Sequence, residues 1–239
     1  MSIKGKWLSG ILSFFESTTH NTVKPVAPVV FHDDFLGSAL DATTNWVLYD
    51  SGGAETETLA ASVASGAAAL TLTAANGVEL AGLYFGDQLP LVLNQGLCFE
   101  ARVRFTVLPA VATTAVIGLC GATNPSIDAV AESIWFRWDF SGLITCETDD
   151  TAAGHETSAV TTGVTLVANE WVILRIDCND TASVKFYVNG QRVCSATTFN
   201  CSTAPAVDLQ PILRLDKAAA AANLGVMQID YVTIWQKRS

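Results

Sequence analysis

The stretch that decides the fold is residues 171–196, WVILRIDCNDTASVKFYVNGQRVCSA. In both of its halves hydrophobic and polar side chains alternate with a period of two, which is typical of strands that bury one face. Asn189-Gly190 tolerates positive φ and predicts a tight type I′ hairpin, whose register places Phe186 opposite Val193. Three consecutive antiparallel strands with one apolar face need a second sheet to cover that face.

The same alternation recurs along most of the chain and predicts an all-β domain. Further strands are predicted at 29–31, 67–73, 78–85, 97–105, 115–119, 133–139, 143–147, 164–167, 209–215 and 225–235. Turn residues rather than helices separate these strands, so the pattern favours a sandwich of two antiparallel sheets over a parallel sheet.

The composition and charge of the chain limit the classes of partner that it is expected to bind. The chain has 239 residues, of which 50% are hydrophobic and 15% charged, with a net charge of −10. This length and composition suit one domain with a full hydrophobic core. The acidic balance disfavours nucleic acid, and no apolar run is long enough to span a membrane. We therefore predict neither a nucleic-acid nor a membrane partner.

The first 28 residues differ from the rest and are predicted to form an arm. Apolar residues spaced by three and four positions predict a short amphipathic helix, and Pro25 and Pro28 end a polar linker before a domain over residues 29–239. A secretion signal is disfavoured because Ser9 and Gly10 break the apolar run, and membrane-surface binding rests on only two lysines. Docking on another protein is the preferred interpretation. The predicted partner-binding residues are Lys4, Lys6, Trp7, Leu8, Ile11, Leu12 and Phe15.

Six cysteines are scattered among the predicted strands without any CxxC pair. This distribution lacks the spacing of a metal site and is typical of reduced, apolar strand residues. A bond from Cys194 to Cys201, which would close a short loop, stays an alternative.

Three segments carry a resemblance to a known family. Residues 31–37 (FHDDFLG), 184–190 (VKFYVNG) and 229–235 (IDYVTIW) resemble the opening, a hairpin and the closing strand of concanavalin A-like (laminin-G-like) jelly rolls. The resemblance extends over residues 29–236 and implies that the first and last strands lie side by side. Its motifs are structural, so they support a fold rather than an activity.

The glucanases of that family place acids on one strand in the pattern Glu-x-Asp-x-x-Glu, or one residue shorter. The nearest match begins at Glu147 and Asp149, but Thr151 and Ala152 occupy the two permitted third positions. A second candidate, Glu55-Thr-Glu57, lacks a third acid as well. We predict that both segments are solvated turn acids and that the chain is not an enzyme.

No other chemistry is indicated by the sequence. His20, His32 and His155 are too far apart for a zinc site, and neither a Gly-x-Ser-x-Gly elbow nor a phosphate-binding loop is present. We predict no cofactor and no metal; the acids weighed as calcium ligands and interpreted as turn acids are Asp33, Asp34, Asp149, Asp150 and Asp216. The aromatic residues that fit either a core or a sugar-binding surface are Trp46, Tyr84, Trp135 and Trp138.

A jelly roll with an amphipathic arm, an acidic body and a short basic tail resembles virion proteins of tailed bacteriophages. That resemblance implies a capsid decoration (cement) protein that binds and stabilises neighbouring capsid subunits. It implies the major capsid protein or another virion protein as partner, a homo-oligomer with a trimer as first choice, and a place on the capsid surface after assembly in the host cytoplasm. The alternatives are a lectin-like carbohydrate-binding virion or tail module and a glycoside hydrolase of the same fold with a degenerate motif.

Overall fold

The structure is a computed structural model that describes residues 28–139, 142–202, 208–218 and 224–238, together with the backbone of strands within 3–8, 11–16 and 22–23. The strands are β1 (Ile3–Leu8), β2 (Ile11–Glu16), β3 (Thr22–Val23), β4 (Val29–Asp33), β5 (Val47–Asp50), β6 (Thr56–Leu59), β7 (Ala68–Leu72), β8 (Glu79–Tyr84), β9 (Leu91–Val92), β10 (Cys98–Val107), β11 (Thr113–Cys120), β12 (Glu132–Asp139), β13 (Leu143–Asp150), β14 (Thr157–Thr165), β15 (Val172–Asp177), β16 (Lys185–Val188), β17 (Gln191–Val193), β18 (Asp208–Lys217) and β19 (Gly225–Gln236). Two single 3₁₀ turns lie at Leu93–Gln95 and Ile127–Ala129. Within these residues no helix is long and apolar enough to cross a membrane.

Two antiparallel eight-stranded sheets form the domain and confirm the predicted sandwich. The back sheet has the order β17-β16-β15-β10-β19-β7-β6, with β4 also paired to β19. The front sheet has the order β14-β13-β12-β11-β18-β8-β5, with β9 also paired to β18. Because sequential neighbours are interrupted in both sheets, the chain crosses repeatedly between them, as it does in a jelly roll.

The hairpin that decides the fold has the predicted register. Phe186 pairs with Val193 across β16 and β17, and Asn189 and Gly190 both adopt positive φ, at 50° and 77°. The first strand of the domain pairs with the last, since Phe31 on β4 lies opposite Ile234 on β19. The predicted closure of the domain on itself is therefore confirmed.

The core lies between the two sheets and is filled by the inward residue of each alternating pair. Aromatic rings join the sheets at its centre: Phe136 of the front sheet meets Phe186 of the back sheet at 5.2 Å, and Phe105 meets Trp138 at 5.5 Å. All four side chains are almost completely buried. At about 1.5–3 kcal/mol for each large apolar side chain removed from water, this layer drives the association of the sheets.

Gly118 on β11 lets two strands of the front sheet approach closely. A Cβ atom at this position would lie 2.4 Å from the Ile134 carbonyl oxygen and 2.7 Å from the Trp135 Cα. Such contacts are too short for any side chain, so the position requires glycine.

The predicted helix of the N-terminal arm is wrong, because the segment forms strands instead. β1 and β2 pair antiparallel, with Trp7 opposite Leu12 and Leu8 opposite Ile11, and β3 adds to β2. Gly5 disfavours helix, whereas tryptophan and isoleucine favour extended backbone. The apolar spacing that suggests a helix also places large residues opposite each other in a hairpin.

The interpretation of Glu55 and Glu57 as solvated turn acids is also wrong. Glu57 lies on β6, an edge strand of the back sheet, beside a pocket of about 450 Å³ that is lined by Leu40, Leu48 and Leu59. Burial, reinforced by the charge of Asp50, raises the pKa of Glu57 to about 7. Its neighbour Glu55 is buried and accepts a hydrogen bond of 2.8 Å from the Ser51 amide.

This raised pKa predicts a pH dependence of stability. The folded protein keeps the Glu57 proton at pH values where the unfolded chain has lost it, so stability falls as pH rises from about 4.5 to about 7. Glu57→Gln removes this loss. Because the carboxyl is only half-buried, we expect a moderate effect. The free energy of unfolding of Glu57→Gln, relative to that of the wild type, should be about 1–2 kcal/mol higher at pH 8 than at pH 5. Urea unfolding of both proteins at the two pH values measures the gain, and an equal difference at both values would contradict the prediction.

Candidate functional site

The outer face of the front sheet is covered at its centre by the loop of residues 121–131, which joins β11 to β12 and is called the covering loop below. Ile127 and Val130 of this loop pack on the sheet in an apolar cluster that is separate from the main core. Trp135 and Ile212 belong to the same cluster and are both almost fully buried. The central strands of the front sheet are thus buried on both faces, which explains their nearly continuous apolar sequence.

A buried arginine on β18 holds the covering loop in place. The side chain of Arg214 has no exposed surface. Its guanidinium donates to the Asn124 carbonyl at 2.5 Å and to the Pro125 carbonyl, and it binds Asp216 through two nitrogens at 2.6 and 2.5 Å. Burial raises the pKa of Asp216 to about 6, and the hydrogen bonds and charge of Arg214 oppose that rise. The planar fork of an arginine suits these simultaneous bonds.

A second arginine, Arg137 on β12, forms ion pairs with three carboxylates beside the loop. It donates to Asp128 of the covering loop at 2.6 Å and to Asp139 at 3.3 Å, and it lies 3.5 Å from Glu147. Burial lowers the pKa of Arg137, but the Asp128 hydrogen bond and the neighbouring acidic charges outweigh burial and raise it. The guanidinium therefore remains charged and fixes the acids around it.

Glu147 is not a solvated turn acid, which corrects the sequence-based interpretation. β13 continues to Asp150, and Glu147 lies opposite Trp135 on the covered face. One of its carboxylate oxygens accepts a hydrogen bond of 2.9 Å from the Trp135 indole, and the other accepts from the Ala159 amide at 3.2 Å. Asp149, two residues further along β13, lies on the same face.

Two openings flank the covering loop and share Ile127, Asp128 and Arg137; together they are called the covered groove. One opening has a volume of about 440 Å³, and the other a volume of about 100 Å³. The polar lining of the larger opening includes Thr114, Asp216 and Lys217. The polar lining of the smaller opening includes Ser133, Glu147, Asp149, Glu156, Thr157 and Ser158.

The structure supplies a carboxylate that sequence reasoning missed. Thr151, at one of the two positions for a third acid, lies with positive φ in the turn after β13, so the strand pattern cannot continue there. The chain then returns as β14, with Thr157 opposite Thr148, and brings Glu156 to the rim of the same opening. Predicting from the sequence that β13 and β14 form a hairpin would have placed Glu156 beside the acids of β13.

Asp33 and Asp150, two of the acids weighed as calcium ligands, have partners within the protein. Asp33 accepts hydrogen bonds from the Phe35 amide and the Trp46 indole, both at 2.8 Å. Asp150 lies 2.9 Å from Nδ1 of His155. Among the described residues there is no group of three or more His, Cys, Asp or Glu side chains that is arranged to hold a metal ion.

The aromatic residues that the sequence left open fall into three groups. Trp46 and Trp138 are core residues, and Trp135 forms the floor beneath the covering loop. Tyr84 is only half-buried and packs edge-on against Tyr49, with ring centroids 5.2 Å apart. The side chains of the predicted partner-binding residues of the arm lie outside the described residues, so their role stays a prediction.

Comparisons with known proteins agree with this architecture. Residues 81–238 match the family model of the Concanavalin A-like lectin/glucanases superfamily. No curated protein matches the sequence significantly.

The solved structures that share the fold include three with 12–16% sequence identity. An endo-acting O-glycanase of human gut microbiota, described as initiating mucin breakdown, has a TM-score of 0.63 and 16% identity, over 87% of this chain and 99% of its own. The pseudo β-1,3-glucanase of Mycobacterium tuberculosis has a TM-score of 0.58 and 14% identity, over 87% and 98%. The laminarinase catalytic domain of Thermotoga petrophila has a TM-score of 0.58 and 12% identity, over 91% and 100%.

These neighbours correct one prediction and leave another without support. The expectation that the chain is not an enzyme is contradicted, because glycoside hydrolases are prominent among the proteins that share its fold. The virion and capsid terms of the predicted function receive no support from the family or from these structures.

Proposed function

The chain belongs to the Concanavalin A-like lectin/glucanases superfamily, and from that premise we propose that it binds a carbohydrate in the covered groove. The observation that carries the proposal is the arrangement of Arg137 with Asp128 and Glu147 beside an open groove rimmed by hydroxyl and carboxylate groups. The fold neighbours support the same class of ligand, since they include an O-glycanase and a laminarinase.

The lining of the groove suits a polyhydroxylated ligand. Each sugar hydroxyl both donates and accepts a hydrogen bond, so it needs acceptors and donors within reach. Asp149 and Glu156 offer acceptors at the smaller opening, and Ser133 and Ser158 can both donate and accept. The hydrogen bond from Trp135 to Glu147 and the ion pair of Glu147 with Arg137 fix the floor, so little side-chain freedom is lost when a ligand binds.

The proposal predicts that Glu156→Gln weakens glycan binding. Titration calorimetry is done with oligosaccharides of laminarin, of mixed-linkage β-glucan and of mucin O-glycans, the materials that the neighbours' descriptions suggest. We expect at least one class to bind the wild type and to lose about tenfold in affinity in the variant, which corresponds to about 1.4 kcal/mol. Glu170→Gln, at an exposed acid that does not line the groove, is the matched control and should bind as the wild type does. Equal affinities of wild type and Glu156→Gln would place the site elsewhere.

Glycoside hydrolysis is the second candidate, favoured by the four carboxylates that line the smaller opening, Asp128, Glu147, Asp149 and Glu156. Glycosidases flank the scissile bond with two carboxyl groups, one acting as acid and the other as base or nucleophile. Glu147, held by Trp135 and by the Ala159 amide, has the fixed position that a base or nucleophile needs, and we assign the acid to the exposed Glu156, which lines the same opening.

A reducing-end assay on the same three substrates tests this candidate. We expect Glu147→Gln to lower turnover by at least about 100-fold, because the amide keeps the hydrogen-bonding shape but loses the charge and the proton-transfer chemistry. Glu170→Gln again serves as the control and should retain full turnover. Binding of a glycan without any wild-type turnover would leave carbohydrate binding as the function and would exclude hydrolysis of the substrates tested.

A further inference from the structure

Two cysteine thiols meet where the edges of the two sheets come together. Cys146 lies on β13 of the front sheet, and Cys194 directly follows β17, the edge strand of the back sheet. Their Sγ atoms are 3.6 Å apart. The sequence alternative, a bond from Cys194 to Cys201, is not the contact that the structure forms.

The surroundings hold the two sulfur atoms in this contact. Cys146 is fully buried, whereas Cys194 is partly exposed. Cys194 adopts a left-handed backbone conformation with φ of 52°, and its thiol also contacts the Thr161 carbonyl oxygen at 3.4 Å. A movement of about 1.5 Å would bring the sulfur atoms to the disulfide bonding distance of about 2.05 Å.

We propose that Cys146 and Cys194 are a redox-responsive pair that forms a disulfide between the front and back sheets when the protein meets an oxidised small-molecule disulfide such as oxidised glutathione. This inference does not depend on the proposed carbohydrate function. It also reaches the groove, because Cys146 directly precedes Glu147 on β13.

The order of the exchange follows from the two environments. The hydrogen bond between the two thiols lowers the pKa of Cys194, and burial raises the pKa of Cys146. The partly exposed Cys194 thiolate attacks one sulfur of glutathione disulfide, breaks its S–S bond and releases one glutathione thiolate, which takes a proton. Cys146 then gives up its proton, attacks Cys194 Sγ and releases the second glutathione. Two protein thiols are oxidised by two electrons in all, and one glutathione disulfide is reduced to two thiols.

The bond would join positions that are 48 residues apart in the chain. It would tie β13, which lies next to the edge strand of the front sheet, to the end of β17, the edge strand of the back sheet. Such a crosslink restricts the unfolded chain more than the folded one. For a domain of this size we expect oxidation to raise Tm by about 5–10 °C, and dithiothreitol to reverse the rise.

The test uses the full chain, purified reduced and then incubated with oxidised glutathione. Of the six cysteines, four should remain as free thiols, and tryptic mapping should join peptide 138–175 to peptide 193–214. Because the second peptide holds both Cys194 and Cys201, the partly exposed Cys194 is replaced by serine as the deciding variant. Cys194→Ser should keep all five of its thiols, form no crosslink and show no rise in Tm on oxidation.

Three results would overturn the proposal. The first is a wild-type protein that keeps six free thiols, and the second is a crosslinked peptide pair that persists in Cys194→Ser. The third is a protein that stops at a glutathione adduct on Cys194 with five free thiols, which would mean that Cys146 cannot reach its partner.

Discussion

Replacing Lys217 with methionine is expected to destabilise the domain by about 3–5 kcal/mol, because it removes one partner of a buried ion pair. Lys217 at the end of β18 has no exposed side-chain surface, and Nζ lies 3.0 Å from a carboxylate oxygen of Glu79, which is only 2% exposed. The ammonium group also donates to the carbonyls of Thr73 and Ala75 at 2.6 and 2.7 Å. Methionine fills similar volume but leaves the Glu79 charge and both carbonyls buried without their partner.

The pH dependence distinguishes this cause from a simple packing defect. Burial raises the pKa of Glu79, but its hydrogen bonds from Thr73 and the charge of Lys217 outweigh burial and lower it. A lowered pKa contributes stability that is present at neutral pH and is lost as pH falls through the folded-state value. The gap between the wild type and Lys217→Met should therefore be largest near pH 7 and should narrow towards pH 3.

Urea unfolding across this pH range measures the gap, with two further variants as controls. Lys237→Met, at an exposed lysine, should cost less than about 0.5 kcal/mol. Adding Glu79→Gln to Lys217→Met should recover part of the loss, because the uncompensated charge is removed. A double variant as unstable as Lys217→Met, with a gap that does not change with pH, would show that the ion pair is not the cause.

The parts of the fold that the sequence predicted are those that depend on local patterns. Asn189-Gly190 specifies a turn through two adjacent residues, and the alternation on either side of it specifies which face is buried. The pairing of β4 with β19 followed from family resemblance, since nothing local relates Phe31 to Ile234. Local pattern and resemblance together predicted the sandwich and most of its strands, but not the short strands β5, β6 and β9.

The arm shows where a local pattern fails. The spacing of the apolar residues is compatible with one face of a helix and also with the facing ends of two paired strands, so periodicity alone cannot distinguish the two structures. The residues concerned are Trp7, Leu8, Ile11 and Leu12. Gly5 and Gly10 lie inside the supposed helix and were the evidence against it.

The candidate site was harder to predict because its acids depend on distant partners. The sequence alone does not distinguish a solvated glutamate from Glu147, whose indole and arginine partners lie on the neighbouring strand β12. The covering loop contains asparagine, proline and serine, which read as an ordinary surface turn. Its attachment depends on Arg214, which is 90 residues away from Asn124 along the chain.

That attachment leads to the second large effect, since Arg214→Met is expected both to destabilise the domain by about 3–5 kcal/mol and to release the covering loop. The variant leaves the partly buried Asp216 without its cation and removes the donors to the Asn124 and Pro125 carbonyls. It also removes the guanidinium from the ring of Tyr49, whose centroid lies 4.5 Å from Cζ. Loss of the loop would expose Trp135 to water and would dismantle the covered groove between its two openings.

Three measurements on Arg214→Met separate its two effects. Urea unfolding gives the loss of stability, and hydrogen exchange should rise in residues 121–131 more than in the paired strands of the back sheet. Glycan affinity, if the groove is the binding site, should fall below detection under conditions in which the variant is still folded. Arg192→Met, at an exposed arginine on β17, is the matched control and should change none of the three.

Arg214→Lys tests whether a positive charge alone is sufficient to stabilise the domain and hold the covering loop. A lysine keeps one positive charge beside Asp216 but cannot bond two loop carbonyls and a carboxylate through a planar fork. We therefore expect it to recover only part of the stability and to leave exchange in the covering loop elevated. Wild-type stability and wild-type protection of residues 121–131 in Arg214→Lys would show that the fork does not hold the loop, in which case the apolar contacts of Ile127 and Val130 with Trp135 must hold it unaided.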